Sequence, residues 1–138
     1  MNSKNSIDVV NHMMQHDLFS QWLGIEVLEI KDGYSKLKMK VRSEMVNGFG
    51  IAHGGIAFSF ADSAFAFACN NRNNLSVALD TAINFTKAVN VNDELLAEAK
   101  EMHNGRSTGV YLITVSNQNN ETVAHFKGTC FRTGKTLI

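Results

Sequence analysis

The spacing of apolar residues changes along this chain from helical to alternating. Ile7, Val10, Met13, Met14 and Leu18 recur at helical spacing and predict an N-terminal helix with Ser6 as its cap. Phe19 to Gly24 is expected as a short link, Ile25 to Ile30 as a strand, and Lys31-Asp32-Gly33 as a turn. From Tyr34 to Arg42 the pattern alternates. Leu37, Met39 and Val41 face one way, and Lys36, Lys38, Lys40 and Arg42 the other, as on a sheet with one solvated face. An Asn/Gly-rich loop over 43–54 leads into a helix of about 55–70. Between Ile56 and Cys69 every residue of that helix is Ala, Phe, Ile or Cys, except Ser59, Asp62 and Ser63. A helix apolar all round is a buried helix. After Asn-Asn-Arg-Asn-Asn come four strand-like runs: Ser76–Val89, Glu94–His103, Thr108–Asn117 and Thr122–Arg132. The short breaks between them join antiparallel neighbours. The expected architecture is α+β. An antiparallel sheet hides a central helix on nearly every side, with a second helix at the N-terminus.

Composition narrows the function. A chain of 138 residues is expected to form one domain, spanning 1–138. Thirteen basic and thirteen acidic residues balance, so no net charge draws the chain to nucleic acid or to an anionic membrane. No stretch reads as a leader, and none reaches the ~18 apolar residues that span a bilayer. Cys69 and Cys130 lie in apolar or strand-like runs without CxxC spacing, which fits free buried thiols in a cytoplasmic protein. His12, His16, His103 and His125 have no partner at metal-ligand spacing, so no metal site is expected.

The exception inside the apolar helix carries the chemistry. Ser59, Asp62 and Ser63 stand at i, i+3 and i+4 and form one polar stripe. Burying an ionised carboxylate is costly, and folding alone gives no reason to put Asp62 there. Gly54 and Gly55 open the same helix. Their N–H groups have no partner four residues back and sit at the positive end of the helix dipole. Glycine also lets a ligand approach the backbone closely. A helix start of this kind can polarise a carbonyl, and a lone carboxylate can act as base or nucleophile.

The string Asn47-Gly48 … His53-Gly54-Gly55 … Ala61-Asp62-Ser63-Ala64-Phe65-Ala66 closely resembles the PaaI-type hotdog-fold thioesterases. These are acyl-CoA thioesterases associated with phenylacetate degradation. The resemblance continues through Thr108-Gly109-Val110-Tyr111 and Val123-Ala124 … Phe126 and spans about nine-tenths of the chain. It implies a curled antiparallel sheet around a central helix, assembled as homodimers and usually homotetramers. It implies hydrolysis of an acyl-CoA such as phenylacetyl-CoA or hydroxyphenylacetyl-CoA to the free acid and CoA without metal or redox cofactor. It also assigns roles. Asp62 is the catalytic carboxylate, Gly54 the oxyanion donor, and Asn47 positions the carbonyl or the water. His53 lies beside the oxyanion turn as either an acid/base or a structural hydrogen-bonder. Thr86 and Lys87, with the loop Asn104-Gly105-Arg106-Ser107, bracket the CoA groove. Related thioesterases in which a serine assists from the next strand have Ala78 as their nearest equivalent here, with Asp80 and Asn84 as weak substitutes.

Spacing adds a constraint. Gly54 and Asp62 are eight residues apart, which is ~12 Å along one helix. Oxyanion donors must sit at ~3 Å from the oxygen, so the two cannot serve one carbonyl from the same chain. Antiparallel copies of the helix at a two-fold interface would bring Gly54 of one chain to Asp62 of the other. Two other readings remain. A hotdog enoyl-CoA hydratase would pair its Asp and His more closely than His53 and Asp62. A non-catalytic acyl-CoA-binding or sensor protein would not need the carboxylate.

Overall fold

The computed structural model describes residues 5–138. Helix α1 (Ser6–His16) is capped by Asn5, whose side chain accepts from the Asp8 N–H. The expected cap, Ser6, is instead the first helical residue. It is buried and donates its hydroxyl to Asp32, in the turn after the first strand. The expected link after α1 is a second helix, α2 (Leu18–Leu23). Asp17 caps it by accepting from the Ser20 N–H, and Gly24 ends it at φ 76°, where a side chain would be strained. Six residues are too few for periodicity to reveal a helix, although both cap signals stand in the sequence.

The strands are β1 (Glu26–Lys31), β2 (Tyr34–Lys40), β3 (Ser76–Phe85), β4 (Glu94–Asn104), β5 (Thr108–Ser116) and β6 (Thr122–Arg132). They form one sheet in the order β1-β2-β4-β5-β6-β3, antiparallel throughout. The alternation of β2 is as expected: Leu37 and Met39 are buried, and so is Val41 just beyond the strand, while Lys36 and Lys38 are half-buried on the other face. Helix α3 (Gly54–Asn70) packs against β2 through β6. Phe60, Phe65 and Phe67 are core residues, and Phe65 lies edge-on to Tyr111 at 5.8 Å. The sheet approaches so closely here that a Cβ at Gly128 would stand 2.7 Å from the Phe65 ring. Cys69 and Cys130 are buried free thiols. Among the described residues no helix is long and apolar enough to cross a membrane.

One feature differs from the pattern reading, and a second shows where the central helix is left uncovered. The chain after the central helix leaves the sheet at Phe85. Thr86 N–H and Lys87 N–H both turn to the Val123 carbonyl, and Val89 accepts from Ala52 N–H, so 86–89 forms a wall beside the start of α3. The helix is hidden on nearly every side, as expected. Ser59, Asp62 and Ala66 are half-buried and Gly55 is exposed, leaving one narrow stripe uncovered. Beside it runs β3, an edge strand whose Val77, Leu79 and Phe85 are more than half exposed. A long apolar edge is a template for pairing with another chain.

Candidate active site

The start of α3 is built by a tight loop. Asn47 N–H donates to the Ile51 carbonyl, Gly50 N–H returns to the Asn47 carbonyl, and the Asn47 Oδ1 accepts from Phe49 N–H. That last bond turns the Asn47 amide so that its Nδ2 donors have no partner among the described residues. His53 then caps α3. Its Nδ1 accepts from the Gly55 N–H at 2.9 Å, so in the neutral ring the proton sits on Nε2. Of the two helix-opening glycines expected to offer free donors, Gly55 is therefore already satisfied. Only the Gly54 N–H has no partner among the described residues. It points from the positive end of a 17-residue helix.

A cleft of about 430 Å³ opens at this point. It gathers Asn47, His53 and Gly54 on one side with Thr86 and Lys87 on the other. Phe85 closes the back, where a Cβ on Gly54 would meet its ring at 3.2 Å. Thr86 spends its hydroxyl on the Thr122 carbonyl, and Lys87 pairs with Glu121 at 2.9 Å.

Asp62 does not line this cleft. It stands two turns further along α3 on the uncovered stripe, with no hydrogen bond or ion pair among the described residues. Burial, and then the nearby Asp17 carboxylate, hold its carboxyl above the usual carboxylate range. Asp17 was not singled out by pattern reading. It is fixed by its own helix cap, since its Oδ2 accepts from the Ser20 hydroxyl at 2.6 Å, and Ser20 in turn meets Ser63 at 2.8 Å. The polar stripe of Ser59, Asp62 and Ser63 is thus divided: Ser63 is used to dock α2, and Asp62 is left free.

The remaining expected residues lie at the far end of α3. Asn104, Gly105 and Arg106 line a second cavity of about 450 Å³ together with Arg72, Asn74 and Arg132. Ser107 is exposed outside that lining, and its carbonyl accepts from Arg132 N–H. Arg132 organises this end. Buried, it donates to Cys69 O, Ser76 Oγ, Asn104 Oδ1 and the Tyr111 hydroxyl. Tyr111 passes the contact to Glu101, which holds Arg72 in two hydrogen bonds of 2.6 and 2.9 Å. Arg72 foremost keeps the Glu101 carboxyl below its ordinary range. Arg106 is exposed and has no acidic partner among the described residues. Asp80 and Asn84 are exposed on the β3 edge. Among the described residues no cluster of His, Cys, Asp or Glu suits a metal ion.

Residues 49–124 match the model of the thioesterase superfamily. The acyl-coenzyme A thioesterase PaaI of Escherichia coli is 39% identical over 125 residues, 91% of this chain and 89% of that protein. The structure of the E. coli PaaI protein from the phenylacetic acid degradation operon superposes with a TM-score of 0.94 at 37% identity, covering 97% of each chain. A hypothetical thioesterase protein of Streptococcus pneumoniae, solved with coenzyme A, superposes with a TM-score of 0.84 at 28% identity, over 90% of this chain and 97% of that one. The chain belongs to the thioesterase superfamily, has the hotdog fold, and is a thioester hydrolase.

Proposed function

We infer that this protein hydrolyses an acyl-CoA to the free acid and CoA at a site shared between two subunits. The observation that carries this reading is the pair of unsatisfied groups on α3: the Gly54 N–H at its start and the Asp62 carboxylate two turns on. The Gly54 N–H donates to the thioester oxygen as that oxygen gains charge. Asn47 Nδ2 orients the carbonyl or the attacking water. His53 keeps its capping role and fixes the turn that presents Gly54.

Asp62 comes from the partner subunit, because ~12 Å of helix separates it from Gly54 of its own chain. The uncovered stripe of α3 and the exposed β3 edge are the surfaces of that dimer, and pairs of dimers build the tetramer. As general base, Asp62 takes a proton from water. The hydroxide adds to the carbonyl carbon, the C–S bond breaks, and the proton passes to the CoA thiolate. As nucleophile, it would form an acyl anhydride that water then cleaves. Both routes balance without metal or redox cofactor, and both gain from a carboxylate whose basicity is raised.

The CoA moiety leaves the Gly54 cleft past Thr86 and Lys87. Asn104, Gly105, Arg106 and Ser107 lie at the opposite end of α3, ~25 Å from Gly54 of the same chain. An antiparallel partner brings its own copy of that loop toward the cleft, where Arg106 meets the nucleotide phosphates. The acyl group is phenylacetyl or hydroxyphenylacetyl, supported by the likeness to E. coli PaaI. The reaction belongs to the cytoplasm, where the two thiols stay reduced.

The test is a panel of acyl-CoA substrates with free-thiol detection, run on the wild type and on Asp62→Asn. Thiol release by the wild type and its loss in the variant is the expected result. Equal release by both would remove Asp62 from the chemistry, and none from either would remove the reaction.

A further inference from the structure

Helix α2 leaves two large aromatic side chains half in solvent. Phe19 is 53% exposed and Trp22 49%, with their rings stacked at 6.0 Å between centroids and 28° between planes. Burying an aromatic ring is among the larger gains available to a fold, so two exposed rings held in register are not explained by folding. They are also held in place. The Arg42 guanidinium lies over the Trp22 ring at 4.9 Å, and Ser20 anchors α2 to α3 between them.

The rings form one wall of a cleft of about 360 Å³, opposite Val46 and Ile56. His53 lines this cleft and also the one that holds Gly54. The two clefts therefore meet across a single side chain, on either side of the turn that presents the Gly54 N–H. A thioester carbonyl at Gly54 has two substituents, the sulfur and the acyl carbon. If the sulfur leaves past Thr86 and Lys87, the acyl carbon leaves across His53, toward Phe19 and Trp22.

We propose that Phe19 and Trp22 form the acyl-recognition surface, selecting a short acyl group that carries a flat aromatic ring. This rests on the reading of Gly54 as carbonyl donor. A cleft of this size lies at the small end of the ~300–1,000 Å³ range of ligand pockets, so it suits a ring on a short spacer better than a long alkyl chain. The stacked rings offer a third ring either a face or an edge. Phe19 and Trp22 touch the bound acyl group and none of the reacting atoms.

Trp22 is the only tryptophan of the chain and reports on its own cleft. Its emission is followed in Asp62→Asn, in which turnover is expected to fall at least ~10²-fold, on adding CoA, acetyl-CoA or phenylacetyl-CoA. The expected result is a saturable change with phenylacetyl-CoA that neither CoA nor acetyl-CoA produces. In parallel, Trp22→Leu and Phe19→Ala are compared with the wild type. The expected loss in kcat/KM is at least tenfold on phenylacetyl-CoA and within twofold on acetyl-CoA. Emission indifferent to the acyl group overturns the proposal, as does an equal loss on both substrates, which would mark the rings as structural. Emission that responds to dilution of the protein and to no thioester would assign the ledge to a second copy of the chain, and also overturns it. A saturable response to phenylacetyl-CoA without turnover by the wild type would instead leave the ledge standing and remove the hydrolysis.

Discussion

The hydroxyls of Ser20 and Ser63 meet at 2.8 Å and tie α2 to the helix that carries Asp62. Ser20 already donates its proton to Asp17 Oδ2, so Ser63 is the donor of this bond. Both oxygens of Asp17 are held by Ser20, one by its N–H and one by its hydroxyl. A fixed negative charge is thereby kept near Asp62, where it opposes a second one.

Asp17 should add to burial in setting the pH at which the enzyme works. In the proposed mechanism Asp62 acts in its ionised form, and Asp17 contributes to raising its pKa, after burial. Asn caps a helix about as well as Asp. Asp17→Asn therefore removes the charge and keeps α2 in place. The acid limb of kcat/KM against pH should move to lower pH in this variant, with the plateau within a few-fold of wild type. A limb that stays put would mean that burial alone tunes Asp62.

Asp62→Asn should cost activity and add stability. A positioned base supplies ~10²–10⁴ in rate, so kcat should fall by at least ~10²-fold. The stability change follows from the same pKa. The folded carboxyl titrates above the unfolded value near 3.8, so the folded state binds the proton more tightly. Stability of the wild type then falls as pH rises from the unfolded pKa through the folded one, and levels off above it. Asn resembles the protonated form and escapes that loss. Thermal unfolding should show a higher Tm for the variant at pH 7 and a gap that closes toward pH 3. A variant less stable than wild type at pH 7 would show that the Asp62 charge is compensated in the fold.

Periodic features of the fold were legible in the sequence because they repeat locally. The alternation of Leu37, Met39 and Val41 and the apolar run from Ile56 to Cys69 are set by burial of one face at a time. Of the candidate residues, Asn47, His53 and Gly54 stand close together in the sequence and share one cleft with Thr86 and Lys87, whereas Asp62 lies outside it. What escaped is built across long separations. Ser20 meets Ser63, and Arg132 reaches Asn104, Tyr111 and Cys69, through contacts that no local pattern encodes. Thr86 and Lys87 continue the strand pattern, yet the chain bends there because both N–H groups turn to Val123. The uncovered stripe of α3 was legible in part, through Ser59 and Asp62, but Ala66 belongs to the apolar run and gives no sign that it continues the stripe.

The two basic residues assigned to the CoA moiety should differ. Lys87 already has Glu121 at 2.9 Å, whereas Arg106 has no acidic partner among the described residues. Arg106→Ala should raise KM for an acyl-CoA several-fold with little change in kcat, as expected when uniform binding is lost. Lys87→Ala should do the same more weakly, because Glu121 offsets its charge. An acyl-N-acetylcysteamine thioester, which lacks the nucleotide, should be turned over alike by all three proteins. Equal losses on both substrates would show that these side chains do not read CoA.

Shared sites make the last prediction the most demanding. Gly54 and Asp62 lie on one helix, too far apart for one carbonyl, so the proposed mechanism takes Gly54 from one chain and Asp62 from the other at each site. Two inactive variants should then restore each other. Gly54→Val places its Cβ 3.2 Å from the Phe85 ring, which must shift slightly to take it, and adds bulk beside the Gly54 N–H. In a mixed dimer with Asp62→Asn, one site carries both lesions and the other carries neither. When the two proteins are unfolded, mixed in equal amounts and refolded, half of the dimers are mixed and each has one intact site of two. Activity should return to about a quarter of wild type under random pairing. Circular dichroism on each variant checks that both fold, and native mass spectrometry checks that mixed dimers form. Folded mixed dimers without activity would place both groups of a site on one chain or remove one of them from the reaction. A monomer with full activity at high dilution would do the same.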